Sequence, residues 1–154
     1  MKILKCKIIG GKKYQVVAEV SRTEKGPDTI DVKYHAEPAQ AFFDAMNGLK
    51  KYVLELCEIS GVATQNIQMI GVHFKYSGEN ETMGAQMFAR KKLSGEKENL
   101  LLVTPYRLSA PYKGDKEDPD KLLPKGCITA LEKLQAQAES YFKGLKGQTG
   151  LFDE

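Results

Sequence analysis

The sequence has no tryptophan, two histidines, three cysteines and three arginines among its 154 residues, and each scarcity removes a class of function. Cys6, Cys57 and Cys127 are widely spaced and odd in number, with no Cys-x-x-Cys, which argues against a disulfide framework or a thiolate zinc site. A reducing cytoplasm is the expected compartment. His35 and His73 are the only imidazoles, each at an expected strand position where a structural role is the ordinary one. No G-x-S-x-G, phosphate-binding loop, H-E-x-x-H or dinucleotide fingerprint occurs. Cys127, in the first turn of an expected helix, is a candidate for a lowered pKa, but no histidine is placed beside it. The acids Asp115, Glu117, Asp118 and Asp120 lack the spacing and central glycine of a calcium loop. The expectation is a protein that is not an enzyme, with no cofactor and no metal. Few arginines also disfavour sequence-specific DNA reading, because Arg is the side chain shaped for bidentate contact with guanine. No apolar run approaches the roughly 18 residues of a membrane span. Lysines interrupt the apolar start MKILKCKIIGGKK, so it does not read as a signal peptide.

What is present is ordinary in bulk and uneven in detail. Hydrophobic residues are 42% and charged residues 28%, the balance of a soluble globular chain of one domain. Residues 1–22 carry six basic side chains against Glu19 alone, a local charge of +5 that leaves −2 for the rest of a chain totalling +3. Such a segment can meet a phosphate backbone or an acidic partner. The alternative is an edge strand whose lysines guard it against aggregation.

The hydrophobic pattern gives the organisation. Residues 2–9 and 13–22 read as strands around the permissive Gly10-Gly11 turn. After a turn at Lys25-Gly26-Pro27-Asp28, Ile30, Val32 and Tyr34 alternate as a third strand. Pro38 opens an amphipathic helix whose stripe of Ala39, Phe42, Met46, Leu49, Val53 and Leu56 runs to about Ile59. Ile70 to Tyr76, Met83 to Leu93 and Leu100 to Thr104 read as three further strands. A long irregular stretch with the charged run KGDKEDPD follows, then a helix from about Pro124 to Leu145. The expected fold is α+β, a largely antiparallel sheet in the order βββα-βββα with two long helices packed on it. Residues 1–145 form the domain and 146–154 a flexible C-terminal tail, because Gly144, Gly147 and Gly150 weaken any further helix.

Two sets of residues are candidates for binding. Lys5, Lys7, Lys13, Arg90 and Lys92 are candidate phosphate contacts of a non-specific kind. Tyr14, Tyr34, His73 and Tyr76 lie near lysines, as base-stacking residues do, and alternating aromatics are equally what a sheet core requires. Phe74 and Phe88 read as core. The second set is the tail. Leu151 and Phe152, close to an acidic terminus, would each forgo about 1.5–3 kcal/mol of burial in water, so a partner or the body should cover them.

Here the residues carry a resemblance. Gln148-Thr149-Gly150-Leu151-Phe152 resembles the short motif by which bacterial DNA polymerases and repair proteins dock on the replication sliding clamp. The resemblance implies that Gln148 hydrogen-bonds in one subsite while Leu151 and Phe152 fill a hydrophobic one. Thr149 and Gly150 depart from the usual leucine and the usual serine or aspartate, which lowers the implied affinity. The layout also resembles a class of small proteins encoded by bacteriophages and prophages, through its short basic strands, the LLLVTPYRLSAPY segment with Leu102-Val103-Thr104-Pro105, and a last helix ending in Q-x-x-L-F. That resemblance implies a cytoplasmic accessory protein of DNA replication or recombination. The alternative is a small-molecule or peptide-binding module, for example one that counters a host defence, with a pocket lined by Tyr34, His73 and Tyr76 and the tail packed on its own body.

Overall fold

The computed structural model describes residues 1–10, 12–23, 26–93, 99–111 and 121–149, with 22–23 and 145–149 as backbone only. Alternating side chains build a seven-stranded antiparallel sheet: β1 (Lys2–Ile9), β2 (Lys13–Thr23), β3 (Gly26–Tyr34), β4 (Ile67–Ser77), β5 (Thr82–Lys92), β6 (Asn99–Val103) and β7 (Arg107–Leu108). The spatial order is β3-β2-β1-β4-β5-β6, with β7 also on β5. The α+β architecture and the rough order of elements agree with the sequence reading. The short β7 was not anticipated, and the charged run KGDKEDPD lies outside the described residues.

The connection from β3 to β4 crosses over β2 and β1 through α1 (Gln40–Asn47) and α2 (Lys50–Leu56). The sequence stripe predicted one continuous helix. Gly48, a poor helix residue after Asn47, divides it at a turn, and α1 itself begins at Gln40, two residues after Pro38. Gly48 and Leu49 keep right-handed dihedrals, so the apolar stripe passes through the break. Phe42, Met46, Leu49, Val53 and Leu56 are all buried.

The long helix α3 (Lys125–Thr149) packs beside α1 and against β1. Its backbone runs through Gly144 and Gly147, four residues past the expected end at Leu145. Each glycine costs roughly 1 kcal/mol of helix propensity, which docked residues offset. Leu131, Leu134, Ala138 and Phe142 supply that docking, all within 2% of full burial. The core is a single layer between these helices and one face of the sheet, where Cys6, Val16, Val72, Met87 and Ala89 meet them.

Candidate nucleic-acid interface

The helices cover one face of the sheet and leave the other face of β1, β4 and β5 without a covering layer among the described residues. On β4, Val72 and Phe74 point to the helices, so His73 and Lys75 point away. On β5, Ala85, Met87 and Ala89 point inward, which sends Gly84, Gln86, Phe88, Arg90 and Lys92 to the open face. A bulge between Ile3 and Lys5 shifts β1 by one residue and places Lys5 opposite Val17 and His73, and Lys7 opposite Gln15 and Gly71.

This arrangement corrects one alternative. β1 is an interior strand paired on both sides, so Lys5 and Lys7 do not guard an edge. They stand in the middle of the open face.

Two glycines shape that face. A Cβ on Gly71 would lie 2.5 Å from the Cys6 carbonyl oxygen, so only glycine lets β1 and β4 approach here. With no side chain at 71, the floor drops into a cavity of about 700 Å³ lined by Lys5, Lys7, His73, Phe88, Arg90 and Leu101 among others. At Gly84 a Cβ would lie 2.2 Å from the Tyr106 hydroxyl, so this ring lies across the strand where a side chain would stand. A second cavity, about 610 Å³, lies beside it and is lined by Lys5, Val17, His73, Lys75, Gln86 and Tyr106 among others. Lys5 and His73 belong to both, so the two form one groove.

The Thr104-Pro105 step brings Tyr106 there. The Thr104 hydroxyl accepts the Met87 backbone N–H at 2.8 Å, and the Thr104 carbonyl accepts the Gln86 amide at 3.0 Å. These bonds clamp the chain between β6 and β7 where Pro105 interrupts the ladder.

Among the described residues, four cations, Lys5, Lys7, Lys75 and Arg90, line the groove, and no carboxylate does. None of the four makes an ion pair among the described residues. Three described acids of the sheet are engaged elsewhere: Glu19 and Glu81 pair with Lys2, and Asp31 accepts the Gln15 amide at 2.9 Å. The His73 ring packs on Phe88 with centroids 4.6 Å apart. Partial burial, then the charges of Lys5 and Lys7, hold the His73 pKa below its ordinary 6.5.

Of the phosphate candidates, Lys5, Lys7 and Arg90 line the groove. Lys92 follows on the same face, opposite Asn99, and Lys13 lies outboard at the end of β2, opposite Ile9. Of the stacking candidates only His73 is on this face. Tyr14 is in the core, edge-on to Phe43 and Tyr141 at 5.8 and 6.4 Å, and Tyr34 packs partly buried against the same core. Tyr76 donates to the Ile3 carbonyl and accepts from Gln135. Tyr34, His73 and Tyr76 therefore do not share a pocket.

Phe88, read as core, lines the groove, while Phe74 is core as expected. Lys75 was missed, although its alternation with Phe74 and Tyr76 carried the signal. Tyr106 had no signal in the sequence. Cys127 is the reverse of its expectation: burial, with Glu55 adding, pushes its thiol up to about 12. His35 is exposed just beyond β3. Gln148 falls in the last turn of α3 as backbone only, and Leu151 and Phe152 lie outside the described residues. Among the described residues no helix is long and apolar enough to cross a membrane, and no three His, Cys, Asp or Glu side chains gather as metal ligands. Compared with family models, with curated proteins and with solved structures, the chain matches none.

Proposed function

We propose that this is a non-catalytic, phage-type accessory protein of DNA replication or recombination that grips DNA phosphates with the open face of its sheet. The observation that carries the reading is the groove itself, with four cations and, among the described residues, no carboxylate in its lining. Cations without an ion pair among the described residues, set in the interior of a sheet, keep like charges close together, and a polyanion relieves that repulsion while releasing its own counterions. The tail supplies the second contact. Gln148, Leu151 and Phe152 dock on the bacterial sliding clamp, and their sequence pattern alone supports this part. A short peptide binds modestly, so clamp and DNA contacts together give the useful affinity through effective concentration.

Titration of DNA at several salt concentrations tests the first part. The wild type should lose affinity steeply with salt, and Lys5→Glu/Lys7→Glu/Arg90→Glu should abolish binding while the thermal melt stays cooperative. A well-folded wild type with no salt-dependent binding would sink it. For the tail, calorimetry against a sliding clamp should give heat that disappears in Leu151→Ala/Phe152→Ala.

The second reading, a small-molecule site, draws on the cavity of about 700 Å³, a volume typical of ligand pockets. Lys5, Lys7 and Arg90 in its lining would make its ligand an anion.

A further inference from the structure

We infer that the ligand of the open face is single-stranded DNA, with bases stacked at two places along β5: the Phe88–His73 pair and the Tyr106 ring. The inference rests on the phosphate-gripping reading above and goes beyond it by naming the form of nucleic acid.

The groove is not merely basic. Leu101 is 59% exposed and Tyr106 41% exposed, both on the rim of the surface that carries the four cations. A duplex presents phosphates outward and keeps its base faces stacked, so it would satisfy the lysines and leave these apolar groups in water. An unpaired strand has both kinds of surface to offer. The first cavity fits that division of labour. Its floor is Gly71, His73 and Phe88, with Lys5 and Lys7 on the β1 side and Arg90 and Leu101 on the β5–β6 side. A base laid on Phe88 meets apolar surface at Leu101, and the flanking phosphates meet cations on either side.

The second platform follows from Gly84. Tyr106 covers a strand position that has no side chain of its own, and four residues along β5 separate it from Phe88, about 13 Å at the usual strand rise. The two platforms lie along one strand, with Lys5 and His73 common to the cavities beside them. Among the described residues, His73 and Asn99 are the polar side chains of the first cavity that carry no fixed charge, a thin provision for reading 2′-hydroxyls, which favours DNA over RNA.

Fluorescence anisotropy with the full chain decides the matter, using labelled oligothymidylate, oligouridylate, a DNA duplex of equal length, and heparin. Oligothymidylate should bind at least about tenfold more tightly than the duplex at the same salt, since each stacked base is worth about that factor or more. Phe88→Leu and Tyr106→Leu keep apolar bulk and remove the ring. Each should weaken oligothymidylate about tenfold while leaving heparin affinity and the salt slope unchanged. Duplex binding equal to that of the single strand would overturn the inference and leave phosphate gripping intact, as would equal losses for heparin and oligothymidylate in the ring variants. Tighter binding of oligouridylate would overturn the assignment to DNA. Failure to bind any of the four would overturn both readings.

Discussion

Phe74 and Phe88 stand on neighbouring strands and face opposite ways. Phe74 is 5% exposed under the helices, in contact with a core built of Val, Leu, Met and Phe. Phe88 lies in a groove among Lys5, Lys7 and Arg90, with an imidazole as its ring partner. The two faces of one sheet therefore obey different constraints. Packing decides the covered face, where any polar atom needs a partner and every methylene counts. Nothing in the fold requires four cations and a half-buried ring on the open face. A sheet with period-two alternation lets the two sets of requirements sit in the same strands without conflict.

The sharpest way to break this contrast is to truncate the same residue type on each face. Phe74→Ala should cost about 3–5 kcal/mol in urea unfolding, and Phe88→Ala under about 1 kcal/mol. Comparable losses would mean that the open face is structurally committed after all. Next in size are two changes that disturb the seam between the faces. Gly71→Ala forces a Cβ against the Cys6 carbonyl oxygen and should cost about 1–3 kcal/mol, because the obstacle is backbone. Thr104→Val leaves the buried Met87 N–H without its acceptor and should cost a similar amount, about 1–3 kcal/mol. Gly84→Ala is the instructive counterpart. The obstacle there is the end of the Tyr106 side chain, which can swing away, so unfolding should change by less than about 1 kcal/mol while oligothymidylate affinity falls.

The covered face was largely legible in the sequence. Alternation in Val72, Phe74 and Tyr76 and the stripe of Phe42, Met46, Leu49 and Val53 are direct imprints of burial, and all of these but the half-buried Tyr76 are buried in the core. The open face was legible only by subtraction. Lys5 and Lys7 could be seen as basic, but their place in the middle of the sheet depends on β1 pairing with β4, a contact between residues more than sixty positions apart. Strand order of that kind leaves no local pattern. Tyr14 and Tyr34 could not be told from stacking residues because a ring on an alternating strand has the same signature on either face. Tyr106 was invisible because its position comes from a proline break and a glycine on another strand.

The smallest effect expected is also the one that joins the faces, because it concerns protonation of His73. Burial and the charges of Lys5 and Lys7 lower its pKa below 6.5, while Lys75 and Arg90 share the groove and no carboxylate among the described residues lines it. The unfolded chain therefore binds this proton more readily than the folded one. The stability that His73 contributes is present above pH 6.5 and is lost as pH falls through the lowered folded-state pKa. His73→Gln should flatten that part of the stability profile. DNA acts in the other direction, since a phosphate beside the ring favours the imidazolium. Wild-type affinity should rise over the same acid range in which stability falls, and His73→Gln should remove both slopes together. Parallel melts and anisotropy titrations across that range check it. A variant that loses only the stability slope would place the phosphates away from His73, and with them the first stacking platform.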